Sequence, residues 1–307
     1  MQFMIKPQGR IDPTAITKQL IQNYQYKFVH PNVTKSIWSY QDWASLIRHQ
    51  AGKLQPKPHY AIINGGIWGT QFQNESSRQD LLAALNETGI RGVWRTTTWP
   101  RGKDRPASTW AENRLVATDF REHGHLVLDA HWTRQLPSFV YWNDNHPWEP
   151  VYRILTEEVF EMMGHRFPKN YEKIDRNRIL PSPTDTESQQ GDASSPSSST
   201  SSSTAVPEAN RPHGLRLAVL GDSLSRFQYL SLAYFLARGK WFGPLRRPNL
   251  MSENFFNNGE RDFFNFAQKQ LDHSEYCDCS PKEGQWELSV ENRFFWHRQT
   301  NNTLTYL

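Results

Sequence analysis

The sequence predicts an α/β protein: a parallel sheet with helices on both faces. Three observations carry this. Short runs rich in aliphatic residues, at 60–63, 92–97, 125–129 and 215–220, have strand length. Segments of helical period stand between most of them. Glycines close those segments, at Gly89, Gly124, Gly164 and Gly239.

In order, residues 1–35 are poorly patterned. Residues 39–54 read as a helix, with Trp38, Trp43, Leu46 and Ile47 apolar. Strand 60–63 ends in Asn64-Gly65-Gly66-Ile67-Trp68. Helix 77–85, strand 92–97 and a Pro100-Arg101-Gly102 turn come next, then helix 109–123 and strand 125–129. A loop leads to helix 151–163. Residues 181–212 hold a Ser/Thr/Pro tract with almost no large apolar residue, which reads as a disordered linker. Strand 215–220 follows, then Gly221 and a helix on Phe227, Leu230 and Tyr234. Residues 249–280 are polar and aromatic. Residues 286–297 and 302–307 read as two strands around Gln299-Thr300-Asn301.

Composition bounds the function. The chain has 307 residues, 37% of them hydrophobic, enough for one large or two modest domains. The net charge is +4 and the basic residues are dispersed, which points away from nucleic acid. Cys277 and Cys279 stand one residue apart, a poor disulfide and too few ligands for zinc. Neither a metal nor a cofactor is expected. No apolar run reaches the length of a membrane helix, and residues 1–12 lack the apolar core of a signal peptide.

The segment Leu217-Ala218-Val219-Leu220-Gly221-Asp222-Ser223-Leu224 places Ser223 where a buried strand turns into a helix. A hydroxyl there faces the cleft at the carboxyl edge of a sheet, and the helix N-terminus stabilises nearby negative charge. That suits a nucleophile whose reaction builds an oxyanion. A serine at an ordinary strand–helix cap is the plainer alternative.

Gly221-Asp222-Ser223-Leu224 resembles the first block of the GDSL or SGNH hydrolases. The longer Gly-Asp-Ser-Leu-Ser-Arg-Phe-Gln-Tyr-Leu-Ser-Leu is similar to the eukaryotic branch of trichome-birefringence-like polysaccharide O-acetyltransferases and PC-esterases. Asn64-Gly65-Gly66-Ile67-Trp68 resembles the family's third block. Asp144-Asn145-His146-Pro147-Trp148, followed by Pro150-Val151-Tyr152-Arg153, resembles its last. Arg95-Thr96-Thr97-Thr98 resembles a family Arg-Thr segment.

The resemblance implies a flavodoxin-like three-layer fold with the blocks in permuted order. Residues 1–168 look like the back half of such a domain, 169–213 like a linker and 214–307 like the front half. Either one domain is circularly permuted, or the chain spans the back of one tandem domain and the front of the next. A flexible linker of about 45 residues spans about 35–40 Å, enough to join the halves.

The resemblance also implies roles. Ser223 is the nucleophile and His146 the base. Asp144 is the orienting acid, although it lies one residue nearer His146 than the family's Asp-x-x-His spacing. Asn64 and Ser223 N–H are oxyanion donors, the alternative for Asn64 being a turn residue. Gly65 or Gly66 admits the substrate, and the family's second-block glycine has only Gly259 as a candidate. Arg95 holds a substrate hydroxyl or carboxylate, or pairs within the sheet edge. Asp129 and His131 form a reserve pair with a structural role. The implied partner is an acylated carbohydrate or other small ester, and the implied compartment is the secretory pathway. An inactive SGNH-like glycan-binding or scaffold module is the competing expectation.

Overall fold

The structure, a computed structural model, describes residues 40–66, 71–100, 107–136, 147, 149–167, 171, 173, 206–241, 271, 274–278 and 292–307. Its helices are α1 (Tyr40–His49), α2 (Glu75–Thr88), α3 (Ala107–Glu122), α4 (Glu149–Met162) and α5 (Ser223–Arg238). Its strands are β1 (Tyr60–Ile63), β2 (Arg91–Arg95), β3 (Leu126–Leu128), β4 (Arg216–Leu220), β5 (Glu275–Asp278), β6 (Asn292–His297) and β7 (Asn302–Tyr306).

These strands form a single sheet in the order β3-β2-β1-β4-β7-β6-β5. From β3 to β7 every neighbouring pair is parallel. The far edge departs from the expected parallel pattern, because β6 and β5 are antiparallel to their neighbours. The β6–β7 connection is short, and Asn301 supplies its left-handed backbone (φ 52°). A connection this short can only return the chain antiparallel.

β4 lies at the centre. It pairs with β1 from Tyr60↔Leu217 to Ile63↔Leu220, so strands from both sequence halves share the sheet. Side chains alternate between its faces. Ala61, Ile63, Trp94, Ala218 and Leu220 join a core with α1, α2 and α3. Ile62, Val93, Leu217, Val219, Leu304 and Tyr306 join a core with α4 and α5. Each fully buried aliphatic side chain stabilises by about 1.5–3 kcal/mol. Helix α5 meets α4 through the Tyr152–Phe227 and Phe160–Phe235 ring pairs, with centroids 5.9 and 5.7 Å apart.

Local chemistry explains the helix limits. Asn74 caps α2, its side chain accepting from Ser76 N, and Gly89 ends it in the left-handed conformation. Gly239 ends α5 in the same way. Residues 39–54, read as one helix, divide into α1 and a 3-10 turn at Ala51–Lys53. Most of the linker lies outside the described residues. Residues 206–212, counted with it from composition, are packed: Val206 N donates to Gly239 O, and Arg211 Nη1 donates to Ala237 O at 2.9 Å. Pro212 O accepts from the Asn302 side chain at 2.7 Å. Among the described residues no helix is long and apolar enough to cross a membrane.

Candidate functional site

Two turns meet at the carboxyl ends of β1 and β4. Asn64 N donates to Leu220 O at 3.0 Å, extending the ladder by one bond. Beyond Leu220 the chain turns through Gly221 (φ 154°). A Cβ there would stand 2.1 Å from Ser225 Oγ and 2.9 Å from Asn64 O, so only glycine fits.

Asp222 is the N-cap of α5, its carboxylate accepting from Leu224 N at 3.0 Å. The cap is therefore the aspartate, and Ser223 is the first helical residue. At Ser223 the described part is the backbone. Its amide belongs to the first turn of a helix, where N–H groups have no intrahelical acceptor and point toward an incoming anion.

The facing turn runs through Asn64, Gly65 and Gly66. Asn64 is fully buried. Its Oδ1 accepts from Gly66 N at 3.1 Å, and its Nδ2 donates to Arg95 O at 2.7 Å. Thr97 Oγ1 lies 3.5 Å from the same nitrogen and donates to Gly66 O at 3.0 Å. Of the two expectations for Asn64, oxyanion donor or turn residue, the bonds match the turn: its amide closes onto strand β2. Gly65 packs on Phe72 and Trp94, where a Cβ would lie 3.4 Å from each ring. At Gly66 (φ 71°) a Cβ would stand 2.3 Å from Asp222 Oδ2, so this glycine is where the two turns touch.

Arg95, at the end of β2, is fully buried. Its Nη1 donates to Leu224 O at 3.3 Å and its Nη2 to Ser225 Oγ at 3.2 Å. Among the described residues its Nε–H has no acceptor. Burial lowers its pKa, while the charge of Asp222 and then Tyr152 and Tyr306 act the other way. Arg95, read either as holding a substrate group or as pairing within the sheet edge, is enclosed beneath the first turn of α5. Tyr306 on β7 holds the same turn, its hydroxyl donating to Gly221 O at 2.8 Å and Asp222 O at 3.1 Å.

Asp129 has the structural role expected of it. Its Oδ1 accepts from Thr96 Oγ1 and His131 N, and Thr96 Oγ1 accepts from Ala130 N, tying the ends of β2 and β3. The His131 ring stands edge-on to Trp99 and Trp110, which stack with centroids 4.2 Å apart. Asp144, His146 and Gly259 lie outside the described residues.

The arrangement brings Asn64, Gly66, Arg95, Asp222 and the Ser223 backbone together. Among the described residues no group of three or more His, Cys, Asp or Glu side chains is placed to hold a metal ion. Sequence reasoning passed over two members. Asp222 was overshadowed by its neighbour, although Asp before an apolar helix is a cap signal. Tyr306 gave no signal beyond its alternating strand pattern. Compared with known proteins, the chain matches no family model, no curated protein and no solved structure.

Proposed function

We propose that the protein is an SGNH-like acyl-esterase or O-acetyltransferase acting on ester-linked acetyl groups, its flavodoxin-like three-layer domain assembled from two sequence halves in permuted order. One observation carries the reading: the Gly221–Ser223 turn stands at the carboxyl end of the central strand, against a second glycine turn on the adjacent parallel strand. Open α/β sheets bind their ligands at that edge.

Ser223 attacks the ester carbonyl and His146, oriented by Asp144, takes its proton. The Ser223 amide, at the N-terminus of α5, stabilises the oxyanion. The alcohol leaves with that proton, and water or a sugar hydroxyl then receives the acyl group. Which acceptor arrives decides between hydrolysis and transfer. The substrate class that fits the motif resemblance is an acetylated glycan.

A non-catalytic glycan-binding or scaffold module is favoured by one observation, the engagement of the Asn64 amide with Arg95 O. Hydrolysis of p-nitrophenyl acetate and of acetylated oligosaccharides separates the two. Ser223→Ala and His146→Ala should each lower the rate at least about 100-fold, with the double variant scarcely worse. Asp144→Asn should lose less. A folded wild type without any activity supports the module instead.

A further inference from the structure

We propose that Arg95 is a positioning residue for Ser223: its guanidinium, held beneath the first turn of α5, fixes Leu224 and Ser225 and so sets the backbone that faces the acyl oxyanion. The naming of Ser223 as nucleophile rests on the acyl-transfer reading. The placement of Arg95 does not.

The geometry has an unusual sign. A helix N-terminus already carries partial positive charge, so a cation beneath it opposes the helix dipole. Full burial adds the loss of hydration. Packing alone would be served better by an apolar side chain. What the arginine supplies is a planar fork reaching two consecutive residues, Leu224 O at 3.3 Å and Ser225 Oγ at 3.2 Å. Asp222 answers the charge from the cap position and leans on Gly66. With Tyr306 holding the carbonyls of Gly221 and Asp222, the turn is fixed from β1, β2 and β7 together. The cation and the helix terminus then add at Ser223, where a developing negative charge is stabilised without any contact between arginine and substrate.

The experiment uses the full chain with Arg95→Lys, which keeps the charge but loses the fork, and Tyr306→Phe, which removes the hydroxyl holding the same turn from β7. Hydrogen exchange is followed amide by amide, alongside p-nitrophenyl acetate hydrolysis. Arg95→Lys should speed exchange at residues 222–226 about tenfold or more while β2 and α3 amides keep wild-type protection. It should lower kcat by roughly 10²-fold with KM little changed. Tyr306→Phe should loosen the same amides.

Unchanged exchange at 222–226, or an equal increase across the whole chain, overturns the proposal. So does a raised KM with wild-type kcat, the mark of a substrate-binding arginine. If Ser223→Ala hydrolyses as fast as wild type, the acyl-transfer reading fails. The exchange result still decides whether Arg95 orders the turn.

Discussion

Glu112 on α3 is buried, and burial pushes its carboxyl from 4.5 up to about 8 against a partial pull from Arg78. Arg78 itself is committed to Asp119, at 2.5 Å, and to the carbonyls of Phe72 and Gln73. The folded protein therefore keeps a proton that the unfolded chain releases. This contribution is complete below about pH 4.5 and is lost as pH rises through about 8. Glu112→Gln should remove that loss, raising stability at pH 8 by roughly 1–3 kcal/mol, read from urea midpoints at pH 6 and pH 8. An equal pH slope in the variant and the wild type would contradict this. Gly66 offers a second test at the same scale. Alanine there needs an unfavourable backbone and displaces the Asp222 carboxylate, so Gly66→Ala should destabilise by about 1–3 kcal/mol.

Two helix caps have the same chemistry and different surroundings. Asn74 caps α2 at an exposed position, and its loss should cost about 0.5–2 kcal/mol. Asp222 caps α5 above a buried guanidinium, so Asp222→Ala should cost more, because removing one partner strands a buried charge. Asp222→Asn, which keeps a capping oxygen, separates the two contributions. Thermal melts of the three variants check the order, and equal losses for Asn74→Ala and Asp222→Ala would refute it. The same helices show what was legible in the sequence. Periodicity and terminal glycines located α2, α3, α4 and α5 to within a few residues, because those signals are local. β5 was not legible. Its Glu-Tyr-Cys-Asp has no alternation, and it is a strand through pairing with β6, where buried Glu275 meets Arg293 at 3.0 Å. The strand–turn–helix at Ser223 was legible for the same local reason. The engagement of Asn64 was not, since its acceptor lies on another strand at Arg95 O.

At the scale of the molecule, acid and alkali act on different groups. Burial lowers the pKa of His125, His165 and His297, so these rings fold uncharged. His125 Nδ1 accepts from Gly92 N at 3.2 Å, a bond that protonation abolishes. Their contribution is present above about pH 6.5 and falls away as pH drops below it. In Glu112→Gln, with the opposing carboxyl removed, melting temperature should fall more steeply from pH 7 to pH 5 than in wild type. A parallel fall in the two proteins would contradict that. The shared sheet makes a mechanical prediction. Cutting at a protease site introduced between residues 181 and 205 should leave two pieces that elute together, since the β1–β4 ladder and the α4–α5 contact cross between them. Separate elution would sink it.

The β1–β4 ladder also bears on the order of events at the ribosome. When β1 emerges, its partner on one side, β2, follows soon, but its partner on the other side is about 150 residues away. At about 5–20 residues per second, that edge waits roughly 8–30 s for β4 to be made. Throughout the wait the nascent chain presents an unpaired, apolar strand edge, open to other chains. Biosynthesis of this protein should therefore lean on chaperones that cover strand edges until the carboxyl half arrives to close the sheet.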